Sequence, residues 1–416
     1  MPHPSSGRSQ SLQSGAVLWG KTGIAVTALL AALSAGGCSL GDDSERPPQL
    51  GARGSDDDAN VKLGFPSTAT KNTIRIGGGD ATADAAGVAS ALFPATGEGN
   101  RPTAVVLLDA DDWQGAVTGA ALAGPPIGAP LLLTDGDSVP AVTQDTLDRL
   151  KPKGSDLSKD AQVIRIGRDT ARPGGLRTAV IEGDDAYERA AAIDRFASAA
   201  RGRPSANVIV ASGESAEWAM PAAAWAALSG DSVLLTTRER VPDSTLKALR
   251  EHEKPNIYLL GPRQAISAAV ERQLRKEGRV RRIQGPTPVR NAIEFASYER
   301  GEFGWGIAQS GHNFTIANVD RPADSAAAAT LTARGVPSAL LLTDDADKLP
   351  GPLDFYLRNV QPGYEDPVGR RGGGLDPRDV AYNRVWILGD DKAVSVAQQA
   401  RIDEITDLIQ VQVNAP

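Results

Sequence analysis

Cysteine is nearly absent from this chain, with one in 416 residues. That excludes an intramolecular disulfide and any Cys-x-x-Cys metal knuckle. Three histidines leave little for a histidine-ligated metal or a histidine base. An excess of positive charge is also missing: 44 Lys+Arg stand against 51 Asp+Glu, for a formal net charge of -7. Nucleic-acid phosphates need a basic surface, so nucleic acid is not an expected partner. No metal and no cofactor are expected either. Aromatics make up only 5% of the residues, but 41% are hydrophobic, enough over this length to build one or more sizeable cores.

The single cysteine has a context. Polar residues with Arg8 and Lys21 precede an apolar run over residues 22–37, which ends Ala35-Gly36-Gly37-Cys38. That run has 16 residues, fewer than the ~20 needed to span a bilayer, and it ends in small residues as a cleaved signal peptide does. Small residues directly before a cysteine resemble a bacterial lipoprotein box, with Ala35 standing where Leu is usual. The resemblance implies that the Cys38 thiol takes a lipid and becomes the mature N-terminus. Removing residues 1–37 deletes two basic and no acidic residues, taking the charge from -7 to -9. Residues 39–72 lack hydrophobic periodicity and are rich in Gly, Pro, Ser and Asp. As a flexible coil of 34 residues they span about 30 Å and are expected to act as a tether.

Beyond the tether, three anchors recur about every hundred residues. The first is a strand turning into an amphipathic run: Ile74-Arg75-Ile76-Gly77, Val180-Ile181-Glu182-Gly183 and Arg282-Ile283-Gln284-Gly285. The second is an apolar strand, an Ala-rich helix and an apolar strand ending in Thr, the latter being Leu131-Leu132-Leu133-Thr134, Val233-Leu234-Leu235-Thr236 and Leu340-Leu341-Leu342-Thr343. The third closes on Gly, at Gly167, Gly261 and Gly389. Strands apolar at every position suit a sheet covered on both faces. Each copy reads as strands alternating with four helices, the pattern of a parallel α/β sheet.

These anchors resemble the type 2 cell-wall-binding repeat of Gram-positive surface proteins. The likeness rests on Gly183-Asp184-Asp185-Ala186-Tyr187 and Val210-Ala211-Ser212-Gly213 in copy two. It also rests on Gly128-Ala129-Pro130-Leu131-Leu132-Leu133-Thr134 in copy one, and on Leu340 to Asp344 with Ala393-Val394-Ser395 in copy three. The resemblance implies three tandem Rossmann-like modules with parallel sheets packed around a pseudo-threefold axis, over residues 73–176, 177–279 and 280–416, the last with an inserted loop at 359–383. It also implies non-covalent binding of an anionic cell-wall polymer, a polysaccharide or teichoic-acid-like chain. The family's Pro-x-Leu-Leu stretch carries the binding role over to Pro130, Leu131, Leu132 and Leu133, to Val233, Leu234 and Leu235, and to Leu340, Leu341 and Leu342.

Other candidates are weaker. Gly77-Gly78-Gly79-Asp80 lacks phosphate-loop spacing, and Asp80 suits a helix cap better than a phosphate site. Ser212 and Ser310-Gly311-His312 lack the G-x-S-x-G elbow, so Ser212 is expected to line a strand-to-helix turn. His252, within Glu251-His252-Glu253-Lys254, is expected in solvent. Phe303, Trp305 and Phe314 are expected as packing. A basic cluster that includes Arg279, Arg281 and Arg282 is a candidate contact for an anionic polymer. The expected protein is therefore a non-enzymatic lipoprotein on the outer face of the cytoplasmic membrane, bridging membrane and wall. The alternative is a lipid-anchored solute-binding protein of a transporter.

Overall fold

A computed structural model describes residues 68–364 and 380–410. The signal segment, Cys38, most of the tether and most of the loop at 359–383 lie outside the described residues. Copy one runs β1 (Thr68–Ala69), β2 (Thr73–Ile76), α1 (Ala81–Leu92), β3 (Val105–Asp109), α2 (Trp113–Gly119), β4 (Leu131–Thr134), α3 (Ala141–Leu150) and β5 (Val163–Ile166). Copy two runs β6 (Thr178–Ile181), α4 (Ala186–Arg201), β7 (Asn207–Ser212), α5 (Ala216–Ala219), α6 (Pro221–Ser229), β8 (Ser232–Thr236), α7 (Asp243–Glu251), β9 (Asn256–Leu260) and α8 (Ala268–Leu274). Copy three runs β10 (Arg279–Ile283), α9 (Pro288–Ser297), β11 (Asn313–Asn318), α10 (Asp324–Ala333), β12 (Ser338–Thr343), α11 (Gly351–Asn359), β13 (Gly363–Tyr364), β14 (Arg384–Leu388), α12 (Val396–Ile405) and β15 (Ile409–Gln410).

Corresponding helices start for the same local reason. Asp80, Asp185 and Thr287 each sit in extended backbone and accept an N–H from the first turn of α1, α4 and α9, satisfying donors that the helix leaves open. The expected fourth helix of copy one is not there. Between β5 and β6 the chain carries Arg172-Pro173-Gly174-Gly175 and only turns, since proline and paired glycines in so short a span disfavour a helix.

Apart from the short parallel pair β13-β15, the described strands form three parallel sheets of one topology, ordered β4-β3-β5-β6, β8-β7-β9-β10 and β12-β11-β14-β2, with β1 adding to β2 antiparallel. In each sheet the outer strand next to β5, β9 or β14 comes from another copy. Strand β6, which opens copy two, pairs with β5; β10, which opens copy three, pairs with β9. Strand β2, near the N-terminal end, pairs with β14 in register Thr73 to Val385 and Ile76 to Leu388. Each sheet is thus completed by the first strand of the following copy, and copy one completes the sheet of copy three. The sheets are cut one strand later than the sequence copies.

Helix contacts follow the same cycle. Helices α2, α6 and α10 touch one another pairwise, and α10 lies on β4, α2 on β8 and α6 on β12. Thr330 on α10 accepts the backbone N–H of Leu131 at 2.9 Å, satisfying an edge-strand donor across the seam. Small residues allow this approach: a Cβ on Gly124 would lie 2.3 Å from the Ala227 carbonyl oxygen. Phe303 stacks on Tyr258 at 3.5 Å and meets Trp225 edge-on at 5.2 Å, and Trp305 joins Trp225, so Phe303 and Trp305 are packing residues, as is fully buried Phe314.

Candidate functional site

The leucine strands are the outer strands β4, β8 and β12. Leu131, Leu132, Leu133, Leu234, Leu235, Leu341 and Leu342 have no exposed surface, Val233 and Leu340 have 2% and 1%, and Pro130 is buried. Helices cover both faces of these strands, which leaves the ten side chains buried. Leu132, Leu234 and Leu341 pack within their own copies, whereas Leu131, Leu133, Val233, Leu235, Leu340 and Leu342 pack against helices of other copies and hold the seams.

Arg279, Arg281 and Arg282 share strand β10, an outer strand of its sheet. Alternation divides them: Arg279 and Arg281 face one way and Arg282 the other. Arg282 is engaged internally. It lies 3.0 Å from Glu271 and donates to the Gly261 carbonyl at 2.8 Å. Burial lowers its pKa. Glu271 is itself disfavoured as a charge by burial, yet Arg275 and Arg282 hold its carboxyl below the usual range. Arg75, the counterpart of Arg282 on β2, makes the same contact. It is buried and donates to the carbonyls of Gly389, Asp390 and Val394 and to the Gln399 side chain, at 2.8, 2.7, 2.6 and 2.9 Å. Burial lowers its pKa to about 10. Arg279 is exposed and Arg281 half-buried, and neither has a carboxylate within 4.0 Å among the described residues.

Open clefts lie at the carboxyl ends of the strands, where the order of a parallel sheet reverses and ligands commonly enter. Between β3 and β5 a cleft of about 470 Å³ is lined by Asp109, Asp111, Asp112, Asp169 and Asp184, with Arg168 and Arg189. The corresponding place between β11 and β14 holds a cleft of about 230 Å³ lined by Asp320, Asp344 and Asp390, with Arg321 and Lys392. A third cleft, of about 770 Å³, joins copies one and three and includes Trp113, Pro140 and Pro322. Among the described residues no group of carboxylates, histidines or cysteines could hold a metal ion.

Equivalent positions at the seams carry different charges. Residues Asp84, Arg189 and Asn291 each sit six positions after Gly78, Gly183 and Gly285, whose missing Cβ atoms leave room for the backbone there. Asp84 meets Arg321 of copy three, and Arg321 also holds Asp324 at 2.8 Å. Arg189 meets Asp112 of copy one at 3.2 Å, with the polarity reversed. Asn291 is neutral and accepts the Gly285 N–H at 3.1 Å. Asp84 and Asp324 have no exposed surface. Burial, reinforced by the charge of Asp324, pushes the Asp84 carboxyl well above the usual range; burial also raises Asp324. Burial opposes the charge on Arg321, but the two carboxylates raise its pKa.

His252 is not in solvent. Its side chain is fully buried, with Nε2 2.9 Å from Asp194 and Nδ1 2.7 Å from the Ser205 carbonyl oxygen. It caps the end of α7, and its ring turns inward while its charged sequence neighbours point out. Burial opposes protonation, yet Asp194 and the Ser205 carbonyl raise its pKa overall. The nearby Ser232 hydroxyl donates to Asp194 and not to the ring, so the three do not form a nucleophile relay. Ser212 lines its turn as expected, accepting the N–H groups of Glu214 and Ser215 at 3.1 Å. Sequence reasoning missed the Asp84–Arg321–Asp324 group. Its signal was an Asp on an otherwise Ala-lined helix face.

Residues 180–271 match cell wall binding domain 2 (CWB2). They run from the end of β6 into α8, so the match falls on the middle sheet. Two solved structures share the fold: Cwp8 from Clostridium difficile, with a TM-score of 0.60 and 18% identity, and Cwp6 from the same organism, with 0.59 and 17%. They cover 81% and 80% of this chain, which spans 52% and 47% of theirs, about half their length. No curated protein sequence matches. The CWB2 match supports a cell-wall-binding role.

Proposed function

We propose that this protein is a non-enzymatic lipoprotein, anchored through Cys38 on the outer face of the cytoplasmic membrane, whose α/β modules bind an anionic wall polymer. The reading is carried by the CWB2 match at 180–271, which lies on the sheet that β10 completes. On that strand Arg279 and Arg281 stand on one face without carboxylate partners among the described residues, a place where an acidic chain can concentrate positive charge for a phosphate or carboxylate. Pro130 and the leucine strands serve this binding by fixing the seams, and Arg282 by fixing the end of β9. Lipid at Cys38 and polymer contact through a short tether reinforce each other, because the second contact forms within one chain already held by the first.

The test is co-sedimentation of the full chain with cell-wall sacculi across a salt series. The double variant Arg279→Glu with Arg281→Glu is expected to lose about tenfold or more in affinity, with a flatter salt dependence, because two cationic contacts are reversed. Unchanged binding by that variant contradicts the polymer site. Separately, Cys38→Ser is expected to remove the protein from the membrane fraction while leaving its binding to sacculi unchanged.

A further inference from the structure

The three copies differ at one place beside the cleft that joins copies one and three. The backbone N–H groups of Ala110, Gly213 and Val319 bond to Thr134, Thr236 and Thr343 at 2.9, 2.8 and 2.9 Å, which marks these three positions as equivalent. The second residues of α1, α4 and α9 are Thr82, Tyr187 and Val289, two positions after the caps Asp80, Asp185 and Thr287. In copy two the Tyr187 ring fills the space beside Gly213, lying 2.6 Å from where a Cβ would be. In copy three the corresponding residues are Val289 and Val319. In copy one they are Thr82 and Ala110, and there the space stays open as the cleft of about 770 Å³.

We infer that this cleft between copies one and three is a subsite for an uncharged glycan chain. The inference rests on the wall-binding reading above and adds a ligand class to it. The half-buried indole of Trp113, with Pro140 and Pro322, gives the apolar surface on which a sugar ring stacks. Asp111, Asp135 and Asp320 are exposed at the rim and accept hydrogen bonds only, which suits sugar hydroxyl donors. The guanidinium in the wall, Arg321, is already held by Asp84 and Asp324, so it does not offset the negative rim. An anionic segment is repelled here and directed to the basic face of β10.

The test is calorimetric titration of the full chain with tetra-N-acetylchitotetraose and cellotetraose (uncharged), a hyaluronan tetrasaccharide (anionic) and a glucosamine tetramer (cationic). An uncharged tetrasaccharide is expected to bind, and the anionic one about tenfold or more weaker. The double variant Thr82→Tyr with Ala110→Gly transplants the copy-two pair and is expected to abolish this binding. Trp113→Leu is expected to weaken it about tenfold, and serves if the double variant does not fold. Failure of both uncharged chains to bind, tighter binding of the glucosamine tetramer, or full binding by the Trp113 variant would overturn the inference. If the uncharged chains fail while the protein still sediments with sacculi, the subsite falls and the wall-binding reading stands. If sedimentation also fails, both fall.

Discussion

Removing Arg321 is a severe test of how the ring of sheets is closed. Its guanidinium reaches Asp84, on the first helix of copy one, and Asp324, at 2.8 Å on α10 of copy three. Both carboxyls are fully buried, so Arg321→Ala leaves two acidic groups without their cation. Breaking a buried ion pair from one side costs about 3–5 kcal/mol. Asp84→Asn should behave differently. Asn291 occupies the equivalent site in copy three and takes the Gly285 N–H, so an Asn at 84 can keep the Gly78 bond now made at 2.6 Å. It also relieves the repulsion between the two carboxyls, and its cost should stay below about 1 kcal/mol. Urea unfolding followed by circular dichroism measures both. An Arg321→Ala loss under about 1 kcal/mol, or an Asp84→Asn loss equal to it, would refute the reasoning.

Three further outcomes follow from named contacts. The folded pKa values of Asp84 and Asp324 lie above 3.8 and that of His252 above 6.5. Each therefore contributes stability that is full below its unfolded value and lost as pH rises through its folded value. Glu271, Asp354 and Asp407 are depressed, so their contributions are full above their ordinary values of 4.5, 3.8 and 3.8 and lost as pH falls through the lowered ones. Unfolding free energy should accordingly be higher near pH 6 than near pH 8.5, with a flatter slope in His252→Gln; a rise in stability toward pH 8.5 contradicts the signs. Gly124→Ala should cost about 1–3 kcal/mol in the same unfolding assay, because its methyl meets the Ala227 carbonyl across the central helices. Arg75→Met should raise amide hydrogen exchange in Arg384–Leu388 and in α12, more than three hundred residues away in sequence, since its bonds reach Gly389 to Gln399. Unchanged exchange there would show that β2 does not hold that sheet.

The strands and helices were legible because their signals are local. Leu131 to Thr134 is apolar over three positions and closes on Thr, and Asp80, Asp185 and Thr287 announce their helices. Which strands pair was not legible. Ile74-Arg75-Ile76 carries the same pattern whether it joins β3 of its own copy or β14 of the last, and only the tertiary contacts of Arg75 distinguish the two. Burial of the leucine strands followed from their all-apolar pattern, and it stands against reading them as a polymer-contacting surface. His252 was misplaced because charged sequence neighbours do not determine where a ring at a helix end points; Asp194, 58 positions away, does. The division among Arg279, Arg281 and Arg282 needed both the strand alternation and the position of Glu271.

The most direct measurement is sedimentation of the full chain with purified sacculi before and after chemical removal of their secondary polymers. The account predicts co-sedimentation with intact sacculi and its loss after stripping. Equal binding to both preparations contradicts an anionic-polymer ligand, and binding to neither contradicts the wall-binding role itself.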